Sequence, residues 1–339
     1  MVSNDLLTSA PATHREHRGL AVPGTRVFVL IPTHTTRHLR ACLASLAHQQ
    51  RLPDGVVVTC DTDKPDIGEL LDTWWPQVCV KAGRVMPLWH ALRPHQGQAQ
   101  LNQVRNNGLR TLIQHGDGHS GATTSDLVVV LDGDTMLARA SLTQHVEARD
   151  SGFGLIIPYR VMLGEPATAA VDAQRVLDAG LDERAFLSPH ERTILKARQR
   201  RYSRHLLWRK LGFGKTHKPK IIGGHHAFTI ESIAKVNGFD EDYIGYRFND
   251  DDMSRRINSL RPMVKTLIAC DAIHAFHLWH PVRAPERLED APGFARFARR
   301  DLPIYAQHGL TSPRQQPEVT VRAVHSPGTV PAPLSSGGR

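Results

Sequence analysis

The chain has 339 residues, a hydrophobic content of 40% and a formal net charge of +9. That length suits one large or two small domains with a real core, and no stretch approaches the roughly 18 consecutive apolar residues of a membrane span. A positive excess points to an anionic partner, but the cations concentrate between Arg184 and Lys220 while acids cluster at 240–252, so the charge is a local feature. No helix-turn-helix, zinc finger or RNA-binding motif accompanies it, which argues against nucleic acid. The cysteines (Cys42, Cys60, Cys79 and Cys270) have no CxxC spacing. They fit neither a zinc site nor a disulfide framework, and Cys42 and Cys79 read as packing residues in a reducing cytoplasm. The polar N-terminus, with Asp5, Pro11 and Glu16, is not a secretory signal, so a cytoplasmic location is expected.

In chain order, residues 1–24 lack periodicity and read as a disordered tail. Val27–Ile31 is a first buried strand, stopped by Pro32, and a helix follows with Leu39, Leu43 and Leu46 on one face. Gly55–Val58 is a second strand ending at Asp61, and Val78–Val80 begins a third. Gln98–Gln114 is helical. Asp126–Leu131 is apolar after its first residue, as expected for a strand buried on both faces of a parallel sheet, and a helix is predicted over Met136–Ala148. Leu155–Ile157 makes a fifth strand. The alternation breaks near 160, residues 165–220 read as an insertion, and the sheet resumes at Lys220–Ile222 and Val264–Ile268. Residues 311–339, rich in Pro, Ser and Gly, read as a second disordered tail, which leaves one domain over 25–310. Strands alternating with helices define an α/β sheet with right-handed crossovers.

Three clusters carry chemistry. The fourth strand runs into Asp132-Gly133-Asp134. Ligands of such sheets sit at the carboxyl ends of strands, and two acids one residue apart can hold a divalent metal that in turn holds a phosphate. The alternative is a plain Asp-Gly hairpin turn. The second cluster, Asn249-Asp250-Asp251-Asp252, reads either as a solvated helix start or as a helix-start carboxylate aimed into a site. Its approach through Tyr243, Gly245, Tyr246 and Phe248 would make a sugar platform. The third holds His274, His277 and His280. In an extended segment His274 and His280 would share a face and His277 would point away, unless the strand has ended by then. Imidazoles near an acidic metal motif are candidate ligands.

Together, and in this order, these motifs resemble family 2 glycosyltransferases of the GT-A fold. More narrowly, the C-terminal half is similar to the β-1,4-galactosyltransferase and polypeptide GalNAc-transferase catalytic module. The resemblance covers roughly 26–282 and rests on Pro32-Thr33, Asp61, Arg105-Asn106, Asp132-Gly133-Asp134, Gly223-Gly224, Asn237–Glu241, Phe248–Asp252 and His277–Pro281. It implies a mixed, mostly parallel Rossmann-like sheet flanked by helices. It also implies an inverting, Mn2+- or Mg2+-dependent hexosyl- or N-acetylhexosaminyltransferase that uses a UDP-sugar. Pro32, Thr33, Asp61, Arg105, Asn106, Asp132, Gly223, Gly224, Asn249 and Asp251 would then line the donor and acceptor. Asp134, His277 and His280 would hold the metal, and Asp250 would be the catalytic base. Two departures stand out: Asn249 replaces the family's usual Glu, and Phe248 replaces its usual Gly.

The acceptor would be a carbohydrate, a lipid-linked compound or a small molecule. The basic insertion, which interleaves cations with Leu207, Trp208, Leu211 and Phe213, reads as an ordinary packed helix, as a lid over an anionic acceptor, or as a peripheral contact with anionic membrane. Rival readings are a retaining transferase, a non-catalytic sugar-nucleotide-binding relative and a nucleotidyltransferase. The last would normally open with a Gly-rich basic loop, where this chain has Pro32-Thr-His-Thr-Thr36.

Overall fold

The computed structural model describes residues 24–245, 247–281 and 287–325. The chain runs β1 (Val27–Thr33), α1 (Leu39–Leu46), β2 (Gly55–Asp61), α2 (Asp66–Ala82), β3 (Leu88–Arg93), α3 (Leu101–His115), β4 (Leu127–Leu131), β5 (Thr135–Leu137), α4 (Ser141–Asp150) and β6 (Leu155–Met162). Four helices come next: α5 (Glu165–Ala169), α6 (Ala173–Ala179), α7 (Glu183–Phe186) and α8 (Pro189–Lys210). Then follow β7 (His225–Thr229), α9 (Ile230–Ala234), α10 (Asn249–Ser259), β8 (Thr266–His277), a 3₁₀ turn at Leu288–Asp290, α11 (Phe294–Phe297) and β9 (Thr320–His325).

The strands form one mixed sheet in the order β5-β8-β6-β7-β4-β1-β2-β3-β9. Alternation in β1 explains why both faces must be covered. Val27, Val29 and Ile31 enter one core with Leu43 of α1 and Leu71 and Trp75 of α2. Phe28 and Leu30 enter the other with Leu109 and Leu112 of α3 and Met253 and Ile257 of α10. Full burial of each such side chain is worth about 1.5–3 kcal/mol. The α/β fold with a mixed sheet flanked by helices is therefore the expected one, and β1, β2 and β4 fall where their apolar runs place them.

Several expectations need correction. Val78–Val80 is not a strand but the end of α2, whose buried Ile67, Leu71, Trp74, Trp75 and Val78 follow the helical period. Pro76 lies inside that helix, where Pro usually ends one, and left-handed Gly83 closes it. The third strand is β3 instead. Lys220–Ile222 forms no strand, because Ile221 N–H donates to Ser254 Oγ (2.7 Å) and Ile222 C=O accepts from His225 N–H (3.3 Å), so the sheet resumes only at β7. Residues 311–325 are ordered: β9 pairs antiparallel with β3, and Arg314 N–H donates to Glu241 (2.7 Å). The tail expected at 1–24 lies outside the described residues except for Gly24, as do 326–339.

The helix expected from Met136 starts only at Ser141. Before it, β5 pairs with β8, placing Thr135 opposite His277. Leu278 N–H also donates to Asp134 C=O (2.9 Å). The Asp-Gly hairpin reading fails for the same reason, since β4 pairs with β1 and β7 whereas β5 pairs with β8.

Candidate active site

The carboxyl ends of β1 and β4 meet at the site. Thr33 Oγ1 donates to Thr35 C=O (2.9 Å), and Gly133 N–H reaches Pro32 C=O (3.4 Å). Pro32 and Thr33 thus stand beside the Asp132–Asp134 turn. A Cβ on Gly133 would sit 2.8 Å from Thr33 Oγ1, so the turn needs glycine to approach this closely.

Asp134 is met by two imidazoles. His277 Nε2 lies 3.4 Å from its Oδ1 and His280 Nε2 lies 3.1 Å from its Oδ2. One ligand atom from each of the three can be chosen so that all lie within 4.8 Å of one another. The exception left open in the sequence, a strand that has ended by then, is the one observed. β8 ends at His277, so the two-residue period does not extend to His280, and the loop after the strand brings His280 back to Asp134. His274 is not part of this cluster; its backbone carbonyl accepts from Ala138 N–H and Ser141 Oγ.

One carboxylate and two imidazoles are a donor set suited to Mn2+ or a similar ion, and three protein donors leave positions for phosphate oxygens. Burial alone would raise the pKa of Asp134, but the His277 hydrogen bond and the nearby His277, Arg160 and His280 charges hold it below its ordinary range. The carboxylate is thus ready to ligate. The residues fit a divalent cation.

Asp132 faces two guanidiniums. Arg160 Nη1 of β6 lies 3.5 Å from its Oδ2, and Arg105 Nη2 of α3 lies 4.0 Å from its Oδ1. Burial and the Asp134 charge push its pKa up, against the pull of Arg105 and Arg160. Arg105 bridges onward, donating from Nη1 to Asp250 Oδ1 (3.0 Å) and packing over the Phe239 ring. Burial would raise the Asp250 pKa, but Arg105, His226 and Lys220 together outweigh it and the net shift is downward. Gly223 and Gly224 form the floor: a Cβ on Gly223 would strike the Asp250 carboxylate, and one on Gly224 the Arg160 guanidinium.

The three neighbouring acids of α10 part ways. Asp250 faces Arg105, and Asp251 binds Lys220 Nζ (2.6 Å). Asp252 is fully buried between Arg255 (2.8 Å) and Arg256 (2.7 Å), so guanidiniums hold it rather than helix amides. Asn249 begins the helix and donates to Gly245 C=O (3.3 Å). Immediately before it, Arg247 (φ 73°) and Phe248 (φ 62°) are both left-handed. Glycine enters that region freely and Phe does not, so Phe248 carries strain at this turn, where it stacks on Phe297 (4.7 Å between centroids). The expected sugar platform does not form from Tyr243, which is buried beneath Arg296, and Tyr246 lies outside the described residues.

Two further residues of the expected site are held by partners within the protein. The side-chain amide of Asn106, next to Arg105 on α3, is already engaged within the protein. It donates to Phe239 C=O and Glu241 Oε1 and accepts from Phe239 N–H, so its whole amide clamps the 237–241 turn. Asp61 ends β2 as expected, but Arg93 (3.0 Å), His95 (3.1 Å) and Gln100 N–H (3.1 Å) already engage its oxygens.

The sequence reading missed Arg160. Its Nε and Nη1 are buried with no hydrogen-bond partner, and its signal was a cation just past the apolar Leu155–Ile157 run. His226 received no role. It is fully buried, burial and Arg105 lower its pKa to about 4, and its Nδ1 is bonded to Ile222 C=O. The neutral ring therefore turns an unpartnered Nε2 acceptor to its surroundings.

Residues 209–280 match the family model described as the N-terminal domain of galactosyltransferase. The matched segment contains Gly223, Gly224, Asp250, His277 and His280. Solved structures similar to the chain include GalNAc-T7 with UDP, GalNAc and Mn2+ (14% identity, TM-score 0.49, covering 81% of this chain and 48% of that chain). Another is S. aureus TarS 1-349 in complex with UDP-GlcNAc (12% identity, TM-score 0.45, covering 76% of this chain and 60% of that chain). The chain spans less than two thirds of the length of either. Comparison with curated protein sequences gives no match. The matched segment is of glycosyltransferase type, and it carries the residues of the second and third chemical clusters.

Proposed function

We propose that this chain transfers a hexosyl or N-acetylhexosaminyl group from a UDP-sugar to an acceptor hydroxyl, with inversion at the anomeric carbon and with a divalent metal. The observation that carries the reading is the convergence of Asp134, His277 and His280 beside the Asp132–Arg105–Asp250 chain. A bound Mn2+ or Mg2+ would stabilise the charge that builds on the departing diphosphate. Arg160 and Arg105, both with unpartnered N–H groups, would bind donor oxygens as guanidiniums do. Gly223 and Gly224 let the sugar approach the backbone closely. Asp250 takes the acceptor proton while that oxygen bonds to the anomeric carbon. The bond from that carbon to the diphosphate breaks, and its electron pair leaves with UDP.

The Arg105 contact keeps Asp250 ionised, as a base must be, though weakly basic. Proton transfer therefore runs with bond formation, when the attacking hydroxyl is most acidic. Incubating the chain with a panel of UDP-sugars and Mn2+ and following UDP release tests the reading. Slow hydrolysis of at least one of them, abolished by chelation, is expected. No release from any UDP-sugar, with or without acceptor sugars, would contradict it.

A further inference from the structure

From Arg192 to Lys220 the chain carries eleven Lys and Arg residues and no Asp or Glu, more positive charge than the whole molecule's net +9. Among the described residues only Lys220 of these pairs with an acid, Asp251. Arg192, Lys196, Arg200, Arg201, Arg204, Lys210 and Lys215 are all exposed. Helix α8 buries Leu195, Tyr202, Leu206 and Arg209 on one side. Arg200, Arg204, Leu207, Trp208 and Leu211 follow one another at helical spacing on the other.

The end of this helix exposes what a water-facing surface hides. Leu207 is 56% exposed, Trp208 50%, Leu211 61% and Phe213 61%, with the Trp208 and Phe213 rings in edge contact. Four large apolar side chains clustered within seven residues mark an interaction surface rather than scatter. No described helix is long and apolar enough to cross a membrane. We propose that this tip is a membrane-docking surface: Leu207, Trp208, Leu211 and Phe213 enter the interface of an anionic bilayer while the surrounding cations contact its headgroups. A polyanion alone would account for the cations and would leave the four apolar side chains in water. A bilayer satisfies both, with Trp at the depth it favours.

The tip is tied to the site. Arg209 donates to Asn258 C=O at the end of α10 (3.1 Å), and Lys220 binds Asp251. Resting on the transfer reading above, this sets the helix that bears Asp250 beside the lipid surface, from which the acceptor would be presented.

Co-sedimentation of the full chain with vesicles tests the docking and needs neither donor nor metal, so its failure and that of the transfer reading are distinguishable. Phosphatidylcholine vesicles with roughly one third phosphatidylserine should bind the chain at low salt, pure phosphatidylcholine should not, and about 0.5 M salt should weaken binding several-fold. Combined Leu207→Ser, Trp208→Ser, Leu211→Ser and Phe213→Ser should cost about tenfold or more in vesicle affinity. The far-UV circular dichroism and thermal unfolding of the variant should match those of the wild type, which shows that it is folded. No binding to the anionic vesicles at low salt would overturn the proposal. So would undiminished vesicle binding by the fourfold variant, which would leave only a polyanion surface.

Discussion

The two acidic clusters of the site are neutralised differently. In α10 each of three successive carboxylates has its own cation: Arg105 for Asp250, Lys220 for Asp251, and Arg255 with Arg256 for Asp252. In the turn after β4, Asp132 has guanidiniums only at 3.5 and 4.0 Å, and Asp134 has two imidazoles. One cluster is locked by the protein's own charges. The other is short of positive charge and surrounded by groups that can ligate. Burial first, and the neighbouring Asp134 charge second, raise the pKa of Asp132. Acidic residue type alone does not separate a helix start held by its own ion pairs from a candidate metal site. What separates them is which cations the fold has already supplied.

Three substitutions in α10 sharpen the contrast. Asp250→Asn keeps the shape and removes the proton acceptor, so transfer should fall by roughly 10²–10⁴ while UDP still binds. Near wild-type transfer by that variant would remove Asp250 from the mechanism. Because Arg105 and its neighbours hold the folded pKa of Asp250 below its ordinary 3.8, the acid limb of the rate should lie below that pH. The linkage has the same sign: the contribution of Asp250 to stability is complete above its unfolded pKa and is lost as pH falls through the folded one. Asp252→Ala should leave Arg256 buried without its partner and cost about 3–5 kcal/mol in denaturant unfolding. Asp251→Asn removes a partly exposed pair with Lys220 and should change stability by about 1 kcal/mol or less. If Asp251→Asn instead stopped transfer while Asp250→Asn did not, the base would be one residue further along.

Much of this contrast was legible in the sequence, because both acidic clusters sit at element ends that pattern alone locates. The apolar runs of β1, β2 and β4 gave the sheet its centre and placed Asp132 at a strand end. Less legible were elements whose pattern was interrupted or brief. α2 contains Pro76, which splits its apolar periodicity, and β9 is six residues long in a Pro-rich stretch. β5 has only three residues, yet its pairing with β8 brings His277 to Asp134. Arg160 was illegible for a related reason: its place beside Asp132 depends on how β6 sits in the sheet, which no local spacing records. Asn106 shows the same dependence on the fold: adjacent to Arg105 in sequence, it is turned by the helix toward the Phe239–Glu241 segment.

If the under-neutralised turn at Asp132–Asp134, completed by His277 and His280, holds a metal that binds the diphosphate of UDP, then UDP affinity must depend on both the metal and Asp134. Calorimetric titration of UDP into the wild-type chain and into Asp134→Ala, each with Mn2+ and with a chelator, tests it most directly. UDP should bind most tightly to the wild type with Mn2+, and its affinity should fall by about tenfold or more on chelation or substitution. Equal UDP affinity under all four conditions would contradict it.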